Sequence, residues 1–180
     1  HRVKNTLATV QSIAAQTLRN APSIEHARPA FESRLFALSQ AHDVLTRESW
    51  EAASLHEIAV RAIEPYRSRG EERFHISGID VRVRPSMALA LAMALQELAT
   101  NAVKYGSLSV PGGKIELKWI IERETLKLSW VERGGPLVAP PSQIGFGTQV
   151  LTRGLFGESV QLVFEPAGVE GRFSIPLEQA

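Results

Sequence analysis

The stretch "LQELATNAVKYGSLS", Leu95 to Ser109, places Glu97, Asn101 and Lys104 in an otherwise apolar segment. The three are separated by four and three residues, so on an α-helix they point the same way, while Leu91, Leu95, Leu98 and Ala102 cover another side. The run before them, "MALALAMAL" from Met87 to Leu95, reads as a core helix extending from about Ser86 to Tyr105. An acid, an amide and a base in register on such a helix have the geometry of a site. They suit a hydrated magnesium ion and the phosphates it carries, because magnesium takes protein oxygens sparingly and a lysine neutralises phosphate charge. The plainer reading of the same spacing is a solvated stripe joined by an ion pair.

Around this helix the pattern changes period. Alternating apolar residues mark strands at Ile79, Val81 and Val83, at Ile115 to Ile121, at Leu126 to Trp130, at Val160 to Phe164 and at Phe173 to Leu177. A short helix follows Gly147 through Val150, Leu151 and Leu155, and another amphipathic helix runs from Leu55 to Tyr66. Helices on one face of a mostly antiparallel sheet define an α+β fold. Upstream, Val3, Leu7, Val10, Ala14 and Leu18 form one helical seam, and Phe31, Leu35, Leu38, His42 and Leu45 form a second after the break at Asn20 to Ser23. This predicts an antiparallel helical hairpin, half of a four-helix bundle that a second copy would complete. The division expected is a hairpin over residues 1–50 and a sheet domain over 51–180.

The 180 residues, 44% hydrophobic, are enough for one core with a helical annex. A formal charge of +1 with interspersed signs gives no electrostatic reason to expect nucleic acid or an anionic membrane as partner. The absence of cysteine excludes disulfides and thiolate metal sites and fits a reducing cytoplasm. The longest apolar run falls short of the ~20 residues of a membrane span. A start on His1 without a signal-peptide pattern reads as a fragment of a longer chain, with any upstream sensor absent.

Two glycine-rich segments sharpen the phosphate reading. "WVERGGP", Trp130 to Pro136, leaves the end of a strand, and "GFGT", Gly145 to Thr148, opens a helix. Glycine lets backbone approach a ligand, and a helix start offers unpaired amides to an anion.

In this order the motifs resemble the histidine kinases of two-component signalling, most closely the HWE subfamily, whose catalytic part is of the GHKL (Bergerat) ATPase type, an α/β sandwich. "HRVKNTLATVQSIAAQT" resembles the phosphoacceptor box, "ELATNAVKYGSLS" the N box, "WVERGGP" the tryptophan–x–glutamate box and "GFGT" the second glycine box. The resemblance implies a kinase that uses ATP and Mg2+, phosphorylates His1 and passes the phosphoryl group to an aspartate on a response regulator. It implies Asn101 as direct magnesium ligand, Glu97 ordering a metal-bound or catalytic water, and Lys104 and Tyr105 on the phosphate side. Glu132 would accept from the adenine amino group, Gly134 would let the base approach, and Gly145, Gly147 and Thr148 would line the phosphates. Asn5, one turn from His1, has a possible part in removing the phosphate. The two-helix core implies a homodimer, although monomers occur in the subfamily. Both the rival relay reading, an ATP-independent phosphotransfer protein, and a GHKL serine kinase or ATPase switch share part of this pattern.

One position departs from the family: the histidine expected before the N-box glutamate is Gln96, which hydrogen-bonds but shuttles no proton near neutral pH. A helix that turns Glu97 to the nucleotide turns Gln96 about 100° away, toward packing or the hairpin. The segment Leu137 to Ile144 reads as a short, stiff lid. His42 reads as an interface histidine, His26, His56 and His75 as surface residues, and Trp50 and Tyr66 as packing at the junction of hairpin and sheet.

Overall fold

Period-two burial along the central strands fixes one face of the sheet as core. In the computed structural model, which describes residues 2–67, 72–140 and 160–177, β4 (Lys114–Glu122) and β5 (Thr125–Arg133) pair antiparallel, with Leu117 opposite Trp130 and Trp119 opposite Leu128. β7 (Gly168–Pro176) continues the antiparallel pairing with Phe173 opposite Leu128, and β6 (Val160–Glu165) forms one edge. β2 (Phe74–Gly78) forms the other edge, parallel to β4, giving the order β2-β4-β5-β7-β6. The sheet is therefore mostly antiparallel, as its alternation predicts.

The described chain also holds four helices, α1 (Arg2–Asn20), α2 (Ile24–Arg47), α3 (Leu55–Ile63) and α4 (Pro85–Lys104), a two-stranded ribbon of β1 (Ala53–Ser54) with β3 (Arg82–Val83), and short 3-10 turns at Glu64–Tyr66 and Ser107–Ser109. α4 begins with Pro85 in its first turn, where a missing N–H costs nothing. α3 is capped by the Ser54 hydroxyl, which accepts from the Glu57 N–H. α4 is long and apolar enough by length and composition to cross a bilayer, but two-thirds of its apolar window is buried in this core.

The structure moves two sequence expectations. The strand expected at Ile79 to Val83 is split: the sheet edge is Phe74–Gly78, and only Arg82–Val83 is extended, in the separate ribbon. The buried stripe of α1 is also rotated. Ile13 and Thr17 are buried and Val10 half-buried, whereas Val3, Leu7 and Leu18 are 73%, 56% and 67% exposed. At 100° per residue the buried stripe lies roughly 70° from the predicted seam.

α2 joins both parts of the chain. Its C-terminal residues Ala41, Val44 and Leu45 belong to the main core with Ile58, Leu91 and Leu117. Farther up, Leu38 meets Ile13 of α1 and Met93 of α4 in a small separate cluster. The hairpin thus rests on α4 through few apolar contacts, but α2 ends inside the core.

Candidate functional site

Strand alternation carries Glu132 inward. Leu126, Leu128 and Trp130 of β5 are 0–1% exposed on the core face, and Glu132, next in that row, is 2% exposed. A carboxylate so placed needs donors. It accepts from the Ser107 backbone N–H at 2.9 Å and the Trp130 indole N–H at 3.1 Å. Burial raises its pKa above the ordinary glutamate value, and those two hydrogen bonds pull back against the rise.

The donor from Ser107 is delivered by the end of α4. The N–H groups of Tyr105 and Gly106 both bond the Asn101 carbonyl, at 2.8 and 3.1 Å, and the chain then turns over Glu132. Contact there is so close that a Cβ on Gly106 would lie 2.1 Å from a Glu132 carboxylate oxygen, and one on Gly135 would lie 2.5 Å from the Ser107 Cα. Gly134 has φ +74°, the left-handed region that favours glycine. The two motifs read from the sequence, N box and tryptophan–x–glutamate box, therefore meet in space.

The loop is held from below by Arg73, which sequence reasoning missed. Its guanidinium donates to four carbonyls of the segment after α4: Gly113 at 2.8 Å, Ser107 at 3.1 Å, Leu108 at 3.4 Å and Val110 at 2.5 Å. Nothing in the local sequence announces this; the partners are 34–40 residues away.

Along α4 the N-box side chains step outward. Glu97 is buried, Asn101 half-buried, and Lys104 and Tyr105 exposed. Glu97 does not face open space: the Arg34 Nε of α2 donates to it at 2.5 Å, with both side chains nearly buried. Arg34 also donates to the Thr17 hydroxyl of α1 at 2.7 Å, and that hydroxyl donates to the Ile13 carbonyl at 2.6 Å. Arg34 was the second residue missed, although a signal existed. Ala27, Phe31, Arg34, Leu38, Ala41 and Leu45 recur at spacings of four and three, and an arginine in such a row must find an acid.

Gln96 turns toward the hairpin, as expected, but Glu97 turns there too: Arg34 and Ser33, their partners, are neighbours on α2. Its amide nitrogen donates to the Ser33 hydroxyl of α2, to Tyr66 at 3.1 Å and to Thr100 at 3.2 Å, while its oxygen is buried without a partner among the described residues. Trp50 and Tyr66 pack against the main core, and His42 meets Trp50 edge-on at 4.7 Å. His26, His56 and His75 are exposed. His1, Gly145, Gly147 and Thr148 lie outside the described residues, as do residues 141–144 of the expected lid; for Asn5 only the helical backbone is described.

Adenine and magnesium are both implied by the motifs, and the residues around Glu132 fit the first. The Ser107 hydroxyl is buried beside Glu132 with no hydrogen-bond partner among the described residues. A carboxylate with spare lone pairs and an orphan hydroxyl match the donor and acceptor edge of an adenine base. Among the described residues no three His, Asp or Glu side chains converge on a metal position. The oxygen expected to hold magnesium is that of the half-buried Asn101 on α4.

Comparison with known proteins places this arrangement. Residues 1–80 match the family model of the HWE histidine kinase. A blue-light-activated histidine kinase of Brucella anthropi is 43% identical over 176 residues, 94% of this chain but 36% of that protein, so the chain spans about a third of its relative. The histidine kinase domain of an Erythrobacter litoralis blue-light activated histidine kinase superposes with a TM-score of 0.65 at 15% identity, covering 98% of this chain and 95% of that one. A larger structure of the Erythrobacter litoralis kinase reaches 0.76 at 17% identity, covering 99% and 59%. With phosphoacceptor, N and tryptophan–x–glutamate boxes in order and an α+β fold shared with histidine kinases, the chain belongs to the HWE histidine kinases.

Proposed function

We propose that this chain is the catalytic core of a cytoplasmic sensor histidine kinase, which moves the γ-phosphoryl group of Mg-ATP to His1 and then to an aspartate on a response regulator. The observation that carries the reading is the convergence of Glu132 and the segment after α4, where a buried carboxylate lies beside the Ser107 hydroxyl. The residues supporting it divide the work. Glu132 accepts from the adenine amino group, and Gly134, which follows Arg133 at the end of β5, lets the base approach. Asn101 supplies the direct oxygen to magnesium, with Lys104 and Tyr105 flanking the phosphates from the exposed end of α4. Magnesium held there would supply neutralisation of phosphate charge, which together with positioning accounts for most of the barrier reduction in phosphoryl transfer. Gly145, Gly147 and Thr148 close the phosphate side by their match to the second glycine box.

In the transfer itself a neutral imidazole nitrogen of His1 forms a bond to the γ-phosphorus. The bond from that phosphorus to the bridging oxygen breaks with its electron pair, ADP leaves, and the imidazole gives up its N–H proton. Glu97, once free of Arg34, would order water at the metal, and Asn5, one turn from the phosphohistidine, would serve its later hydrolysis. The exposed apolar stripe of Val3, Leu7 and Leu18 supports a second copy packed against α1, completing a four-helix bundle.

Incubation with γ-labelled ATP and magnesium, followed by acid, tests the function. A kinase of this class gives label lost in acid and kept in alkali. Acid-stable label would indicate a serine or threonine acceptor, and failure to bind ATP would leave only a phosphate relay.

A further inference from the structure

The acid assigned to water at the metal is, in this structure, bound to the wrong element for catalysis. Glu97 sits on α4, yet its carboxylate is paired with Arg34 of the hairpin, in a contact that is almost fully buried. The same guanidinium reaches Thr17, so one side chain ties α1, α2 and the N-box helix together. One residue back along each helix, Gln96 and Ser33 repeat the connection.

The placement of α1 shows what this junction does. Thr17 lies 15 residues from Arg2, where α1 starts, a distance of roughly 22 Å along the helix axis. The phosphoacceptor end of α1 is therefore far from the point where α1 meets Glu97. In-line transfer requires the imidazole about 3–3.5 Å from the γ-phosphorus. A nucleotide whose phosphates lie beside Asn101 and Glu97 cannot be reached from there. The hairpin must shift along α4 first, and any such shift separates Arg34 from Glu97. Among the described residues Ile13, Leu38 and Met93, with half-buried Val10, Phe31 and Leu89 against them, form a small apolar contact separate from the main core, and the polar junction adds to the hold on this part of the hairpin.

We propose that Arg34 is a positioning residue that acts as a latch: it parks the hairpin on α4 by sequestering Glu97, and its release frees Glu97 for the nucleotide site at the same moment as it frees the acceptor helix to move. The proposal rests on the kinase reading above. It assigns Arg34 no contact with substrate. Removing the guanidinium leaves Glu97 buried without its cation, a state relieved by turning the carboxylate toward magnesium.

The test uses the whole chain, in two arms. Arg34→Met is expected to raise the rate of acid-labile labelling about 5-fold or more, with ATP affinity changed much less, and Arg34→Lys, which keeps the cation, to stay near the parent rate. A fall in rate or no change in a folded Arg34→Met protein overturns the latch. The second arm remains informative if that variant does not fold. Because the chain has no cysteine, Ser33→Cys with Gln96→Cys gives two unique thiols at the junction. Joined by a short reducible bis-thiosulfonate linker, this protein should bind ATP but take up little label, and reduction should restore labelling. Full labelling while linked overturns the latch. ATP binding without label in the parent and in every variant would overturn the kinase reading, and the latch with it.

Discussion

Glu132 shows how one side chain answers two demands. Two donors, Ser107 N–H and Trp130 N–H, require it to be an acceptor on both oxygens, while burial opposes its charge. The stability consequence has a definite sign. Below the ordinary glutamate value near 4.5 the acid is protonated folded or unfolded. As pH rises the unfolded chain ionises first, so the native protein loses stability until pH passes the raised folded value, and remains lower above it. Glu132→Gln should remove this fall, which denaturant unfolding of both proteins across pH 4 to 8 measures. The same exchange puts an NH2 against a donor and weakens ATP binding. ATP should exceed GTP in affinity by about ten-fold or more in the parent, since guanine sets a carbonyl against an acid, and the gap should narrow in the variant. Asn101→Ala, one turn from Glu97, should remove the magnesium dependence of nucleotide binding while leaving the fold intact, because the side chain is only half-buried. Magnesium titrated against a fluorescent nucleotide reads this directly.

Among the elements, α4 was legible in the sequence because helical period and polar register reinforce each other over twenty residues. The strands of the central sheet were legible for the same reason at period two. What lay beyond the sequence was pairing over distance. Arg34 and Glu97 are 63 residues apart, Arg73 holds a loop 34–40 residues away, and α1 turned its stripe because α4 and α2 compete for its face. The edge strand Phe74–Gly78 was missed because its neighbour Ile79 to Val83 alternates more clearly, although Ile79 is exposed. The β4–β5 hairpin adds a point of strain no periodicity reports. Arg123 and Glu124 both take positive φ, 47° and 58°, where Asn-Gly is the favoured pair. Replacing them by Asn-Gly should stabilise the domain by about 0.5–1 kcal/mol, allowing for the extra freedom of glycine in the unfolded chain. The melting temperature should rise by roughly 2–4 °C per kcal/mol in a chain of this size.

At the scale of the whole molecule, two parts share one helix. α2 ends in the main core at Val44 and Leu45, both 0% exposed, while its first half carries α1 over the N-box helix. A buried apolar attachment at one end and a polar junction at the other are what the proposed latch requires, because α2 can stay anchored in the core while its first half shifts. The measurement that bears most directly on the account is labelling of His1→Gln with γ-labelled ATP and magnesium, using a chain extended upstream so that the first turn of α1 is not frayed. Acid-labile label should disappear while ATP affinity stays within a few-fold of the parent. Label that persists undiminished in His1→Gln would rule out His1 as the acceptor.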